Sequence, residues 1–267
     1  MGKPNALGAG EFDGDEMTGS LTAIYRYPVK GLSADPLQSI AVTPGRALPF
    51  DRAWAIENGP SRYNPLDPQP VPDISFLILM RDERLAALEA RFEEDTQRLV
   101  LLRGGRQVAG GQLSTASGRQ LLEQFFAAFM ADRLRGRPKI VGAPGHTITE
   151  GGMPCVHIVN LATLRELERV MGRTVDPVRF RPNLIVDGPA PWTELAWLGQ
   201  EVSIGPVRLK VSERTSRCAA TNVDPKAGVR DMDIPAVLKR AFGHADFGVY
   251  AEVLTAGTLA IGDPLQV

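Results

Sequence analysis

Cysteine is almost missing from this chain, and histidine is nearly as scarce. Only Cys155 and Cys218, and three histidines, stand in 267 residues. Two cysteines make no disulfide framework, and His146, His157 and His244 lack the spacing of a zinc site. A reducing cytoplasm is the expected compartment. An excess of charge of either sign is missing too. The formal net charge is -1, so no overall basic field points to nucleic acid. No apolar run approaches the length that crosses a membrane, and the first twenty residues lack the basic and apolar regions of a signal peptide. Residues 1–20 read as a disordered leader on a soluble protein. Walker, GxGxxG, GxSxG and HExxH motifs are absent, so any phosphate would have to be held by side chains.

What is abundant is punctuation. The 27 glycines and 21 prolines interrupt short alternating runs, which favours many strands over a helical bundle. Leu21–Tyr27, Ser39–Thr43, Arg52–Ile56, Gln97–Leu102 and Val207–Val211 read as strands. Phe247–Leu254 and Thr258–Val267 read as a closing hairpin around Ala256-Gly257. Ser114–Arg135 carries Leu121, Leu122, Phe125, Phe126 and Phe129 at helical spacing, with Ser114 as the expected cap. Asn160 caps a second helix, Leu161–Met171, which Gly172 stops. LAALEARF, Leu85–Phe92, fits strand or helix. The segment Gly136–Pro154 is the expected internal boundary. The fold class is mostly β (α+β): two β-barrel-like domains, 21–140 and 141–267, with a few peripheral helices.

Chemistry concentrates at Thr215-Ser216-Arg217-Cys218. A cation beside a thiol favours the thiolate, which is the nucleophile and the soft-metal ligand. Packing is the competing reading, because unpaired cysteines are often buried. Cys155, at the start of an apolar run with His157, reads as a packed thiol beside a packed histidine. Other cations sit at strand ends. Lys30 precedes Gly31, which allows close backbone approach to a ligand. Arg52 follows Asp51, and Arg181 precedes Pro182, which favours extended backbone. Arginine clusters suit bidentate phosphate recognition, although each cation alone reads equally as a solvated or ion-paired group.

Taken together, the motifs become specific. Tyr25-Arg26-Tyr27-Pro28-Val29-Lys30-Gly31, Gly45 and Asp51-Arg52-Ala53-Trp54 precede Phe180-Arg181-Pro182-Asn183, Trp197 and Ile204-Gly205. Then come Arg217-Cys218, Thr221, Val223-Asp224-Pro225, Phe247-Gly248-Val249-Tyr250 and Gly262-Asp263. In this order they resemble the MOSC family with its N-terminal β-barrel companion, in the branch of the mitochondrial amidoxime-reducing components and their bacterial relatives. The resemblance runs from about residue 21 to 267.

That resemblance implies a molybdenum cofactor (molybdenum-molybdopterin). It makes Cys218 the catalytic residue and metal ligand, and it places Lys30, Gly31, Arg52, Asn160, Arg181, Ser216, Arg217 and Tyr250 around the pterin and its phosphate. A thiolate suits a metal already held by dithiolene sulfur. Relatives often carry Ser at the Gly31 position and a hydroxyl residue at the Asn160 position. The resemblance favours strand over Leu85–Phe92. The implied activity is reduction of small N-hydroxylated substrates. Electrons would come from a separate ferredoxin- or cytochrome b5-like donor, because no cysteine-bearing ferredoxin extension follows. Sulfur transfer through a Cys218 persulfide and non-catalytic cofactor carriage are the alternatives, with nucleic acid and membrane excluded as partners.

Overall fold

The computed structural model describes residues 18–61, 63–143, 145–149 and 153–267. In chain order the first elements are β1 (Thr18–Arg26), β2 (Asp35–Leu37), β3 (Ser39–Val42), β4 (Trp54–Glu57), β5 (Glu89–Glu93), β6 (Arg98–Arg103), β7 (Arg106–Gln112), α1 (Ala116–Phe129) and β8 (Lys139–Gly142). Then come β9 (Val156–Asn160), α2 (Leu161–Met171), β10 (Leu184–Asp187), β11 (Glu201–Ile204), β12 (Val207–Ser216), α3 (Ile234–Phe242), β13 (Asp246–Val253), β14 (Gly257–Ala260) and β15 (Pro264–Gln266).

Strand order β10-β9-β13-β12-β11-β15-β1, with β1 paired back to β10, closes a seven-stranded barrel. The β9–β10 pair is parallel, which requires a crossover connection, and α2 supplies it. Asn160 starts α2 as expected, its Oδ1 accepting the Ala162 N–H at 3.0 Å, and Gly172 ends it in the left-handed region. In β12, Val207, Leu209 and Val211 point into the barrel core while Arg208 and Lys210 face out, as the two-residue period demands. Register then shifts at Val211/Glu213 and again at Arg214/Ser216. Such bulges bend a strand, and here they lie immediately before Arg217 and Cys218.

The second body packs the β4–β8 pair, the three-stranded β5–β6–β7 sheet and α1 around Ile56, Leu88, Leu101, Leu122 and Phe126. The cap of α1 is Thr115, one residue past the expected Ser114. Its Oγ1 accepts the Gly118 N–H at 3.1 Å. The helix ends at Phe129, six residues before the expected Arg135, and Leu121 lies on its exposed face.

Several sequence expectations are corrected. The leader does not extend to residue 20, because Thr18–Ser20 already pair with Pro264–Gln266; residues 1–17 lie outside the described residues. Of Leu85–Phe92, the first part is a 3-10 turn over Glu83–Ala87, and strand begins only at Glu89. The Gly136–Pro154 boundary contains β8. The C-terminal hairpin does not form: β13 pairs with β12 and β9, β14 with β3, and β15 with β1 and β11. Nor does strand pairing respect a division at residue 140. β1 and β2 belong to the barrel sheet, and β3 joins β14, so the second body is an excursion between β3 and β9.

Candidate functional site

The site begins where β1 ends. Tyr27 is fully buried, and two guanidinium groups lie over its ring, Arg52 at 4.7 Å and Arg181 at 4.1 Å from the centroid. Local geometry holds them there. The Tyr27 N–H donates to Asp51 Oδ1 at 2.8 Å, and the Arg52 N–H donates to the Tyr27 carbonyl at 2.7 Å. Arg52 pairs with Asp51 and also donates to the Arg181 carbonyl at 3.2 Å. Arg181 donates to the Leu32 carbonyl at 2.8 Å.

Both arginines occupy the left-handed region, at φ 51° and 52°. Arg181 is therefore not extended before Pro182, as its position in sequence suggests. Its N–H instead bonds the Val178 carbonyl at 2.9 Å, closing the 3-10 turn Pro177–Phe180. Non-glycine residues held in this region carry strain that the surrounding contacts must over-determine.

A third guanidinium completes the basin. Arg217 donates to the Phe180 carbonyl at 2.6 Å and lies 3.4 Å from His157 Nε2. His157 is buried, and burial, then Arg217 and Arg52, hold its pKa well below the usual value. The imidazole is neutral, which suits a packed residue among cations and not a base. Tyr250, opposite His157 on β13, holds its ring 5.2 Å away and tilted by 52°. Burial pulls Arg181 down to about 10 and lowers Arg217 as well. Burial is the largest influence on Arg52 too, but Asp51, Tyr27 and Tyr250 together outweigh it and its pKa is raised.

The charge here is one-sided: among the described residues, the only one of these three guanidinium groups that forms an ion pair with a carboxylate is Arg52, with Asp51. The buried Tyr27 hydroxyl and Arg217 Nε have no hydrogen-bond partner among the described residues. Burial raises the Tyr27 pKa, with the two cations acting against it, so the group is a neutral phenol. Excess positive charge and orphaned donors fit an anionic group such as a phosphate.

Cys218 lies next to this basin in sequence, and its thiol is exposed. Its carbonyl accepts from the Thr221 N–H at 3.2 Å and from Thr221 Oγ1 at 2.9 Å. The segment that follows is gripped from two sides. From the barrel, buried Arg179 reaches Asp231 at 2.8 Å, Asp224 at 3.2 Å and the Thr221 carbonyl at 3.4 Å. Towards the second body, Arg230 joins the Ala219 carbonyl at 2.9 Å to the Met80 carbonyl at 2.7 Å. At Gly228 a Cβ would stand 3.0 Å from Ala87 N, so the loop lies flush against that turn. Among the described residues no group of three or more His, Cys, Asp or Glu side chains is placed to cage a metal.

The remaining sequence candidates are distributed unevenly. Lys30 pairs with Asp73 at 2.7 Å, 5.7 Å from the Phe76 ring, and is not among the cations over Tyr27. Gly31 is required by the chain itself: its φ is 86°, and a Cβ there would stand 2.6 Å from the Leu77 carbonyl. Ser216 is exposed at the end of β12. Asn160 is fully buried, its amide donates to Pro189, Ala190 and Glu194, and its oxygen accepts from Ala162 at the start of α2, so its side chain is engaged within the protein. Sequence reasoning missed Tyr27 as a platform and Arg179 and Arg230 as clamps; only the position of Tyr27 at a strand end before Pro28 hinted at its role.

Residues 145–266 match the family model described as the MOSC domain. The matched stretch omits β1, which closes the barrel. Mouse "Mitochondrial amidoxime-reducing component 1" is 23% identical over 286 residues, covering 94% of this chain and 83% of that protein. Bovine "Mitochondrial amidoxime reducing component 2" is 33% identical over 122 residues, 41% of this chain and 36% of that protein. Bovine "Molybdenum cofactor sulfurase" is 23% identical over 279 residues, 89% of this chain and 30% of that protein. The matches therefore span about a third of the two bovine proteins.

Proposed function

We propose, on the premise that residues 145–266 form a MOSC domain, that this protein binds a molybdenum cofactor beside Cys218 and reduces small N-hydroxylated molecules with electrons from a separate donor protein. The observation that carries this reading is the three-guanidinium basin with its orphaned hydroxyl, next in sequence to an exposed thiol. Relatives named for amidoxime reduction support the reaction class. When bound, the cofactor would supply a dithiolene-held molybdenum able to exchange an oxygen atom and two electrons.

The chain's part is binding, orientation and electrostatics. Cys218 contributes the protein's sulfur ligand. Arg52, Arg181 and Arg217 neutralise the phosphate, and each charge-assisted hydrogen bond is typically worth about 1.5–3 kcal/mol. Lys30, Ser216 and Tyr250 are further contacts, and Gly31 admits the Lys30 turn. Neutral His157 keeps a fourth positive charge out of the basin. The donor is of ferredoxin or cytochrome b5 type and the compartment is the cytoplasm.

Protein purified from a host that makes the cofactor should contain about one molybdenum per chain, and with a reconstituted donor it should reduce a panel of amidoximes and hydroxylamines. Metal-free protein from such a host would overturn the reading. The sulfurase relative and the exposure of Cys218 favour one second reading, in which Cys218 carries a persulfide for sulfur transfer. Loaded protein that accepts electrons, reduces nothing on the panel and labels as a persulfide at Cys218 would select it.

A further inference from the structure

Among the described residues a second cavity has a lining that does not include Cys218. It encloses about 880 Å³, within the size range of small-molecule sites, and neither Cys218, Arg181 nor Arg217 lines it. Its wall is aromatic. Phe50 and Trp54 lie with their rings 6.0 Å apart and within 3° of parallel, and Phe92, outside the lining, tilts against both at 5.4 and 5.6 Å. Phe50 sits at φ 62°, an uncommon conformation for so bulky a residue. The Asp51 N–H bond to the Leu48 carbonyl, at 2.9 Å, fixes that turn. Strained backbone of this kind clusters at ligand clamps.

The polar side of the cavity carries two cations, Arg46 and Arg119, together with Ser114 at the N-terminal end of α1, where the helix dipole is positive. Arg46 donates to the Gly145 carbonyl at 3.0 Å and Arg119 to the Leu113 carbonyl at 2.8 Å, so both are held in place by neutral partners. Among the described residues Asp51 is the only carboxylate in the lining, and its charge is answered by Arg52 and the Tyr27 N–H on the far side.

We propose that this cavity is a second small-molecule site, separate from the Cys218 basin, that takes a planar aromatic anion. The ring lies on the Phe50–Trp54 wall, and the anionic group meets Arg46, Arg119 and the start of α1. Cation–anion pairing beside an aromatic wall selects for both features at once, because either alone leaves one side of the cavity unmatched.

The probe is 2-naphthoate, titrated calorimetrically into the full chain, with neutral 2-naphthamide as its isostere. One naphthoate should bind per chain, about tenfold more tightly than the amide. Raising the salt should weaken the naphthoate and leave the amide unchanged. Arg46→Gln, an exposed position, should weaken naphthoate about threefold, and Arg119→Gln about tenfold. Phe50→Leu should weaken both ligands, with the thermal midpoint of each variant verifying its fold. Equal affinity for acid and amide, or undiminished naphthoate binding in the Arg46→Gln/Arg119→Gln double variant, overturns the proposal. So does binding abolished by Arg181→Gln alone, which would place the probe in the guanidinium basin. None of these readings depends on molybdenum.

Discussion

The two thiols of this chain differ in a way a reagent can measure. Burial pushes Cys155 up to about 11, so at pH 8 it remains a protonated thiol, whereas Cys218 is exposed. Iodoacetamide at pH 8 should alkylate Cys218 much faster, with Cys155 labelling climbing only as the pH approaches about 11. Cys155→Ala should leave molybdenum content intact, and Cys218→Ser should lower it or alter the metal's spectrum. Arg52→Ala and Arg181→Ala should each weaken cofactor retention about tenfold or more in a folded protein. Full loading in both would make them structural ion-pair partners. His157 gives a pH test with a definite sign. Its folded pKa is depressed, so its contribution is fully present above the unfolded value of about 6.5. As the pH falls below that, the unfolded chain takes a proton that the folded one refuses, at about 1.4 kcal/mol per pH unit. Denaturant titrations should find this acid-side loss flattened between pH 6.5 and 5 in His157→Gln.

At the scale of elements, the loop from Cys218 to Arg230 is held by cations at both ends. Arg179→Met leaves Asp224 and Asp231 without their buried partner and should cost about 3–5 kcal/mol, measured by urea unfolding. Arg179→Lys should recover part of that, as a point charge without the planar fork. Local elements were the legible ones. The Asn160 cap and Gly172 stop are chemistry within one turn, and the inward period of Val207, Leu209 and Val211 is written residue by residue. Elements defined by distant partners were not legible. Thr258–Val267 alternates like a hairpin arm, yet its two strands answer to β3 and to β1 with β11. Leu85–Phe92 has an apolar pattern that the 3-10 turn and β5 divide between them. The left-handed Arg181 was hidden because its local preference before Pro182 is overruled by its bond to Val178. Of the site, the cations and thiol were readable as residue types; the burial of Asn160 was not.

Across the whole molecule, the barrel cannot be cut out at residue 140. A fragment of residues 141–267 would lack β1 and leave the edges of β10 and β15 unpaired, and such edges template aggregation. It should give no cooperative thermal transition, and supplying residues 18–42 on the same chain through a flexible linker should restore one. A fragment that melts cooperatively without β1 would mean the barrel closes by another route. The same interleaving has a consequence for biosynthesis. Thr22 bonds the Ile185 carbonyl and Asn183 the Tyr25 carbonyl, contacts 163 and 158 residues apart. While the ribosome makes the intervening body, the apolar face of β1 waits without its partners, and non-local closure of this kind is slow. Nascent β1 thus lacks its full set of partners until the chain is nearly complete, and the excursion between β3 and β9 can finish folding before the barrel that frames it exists.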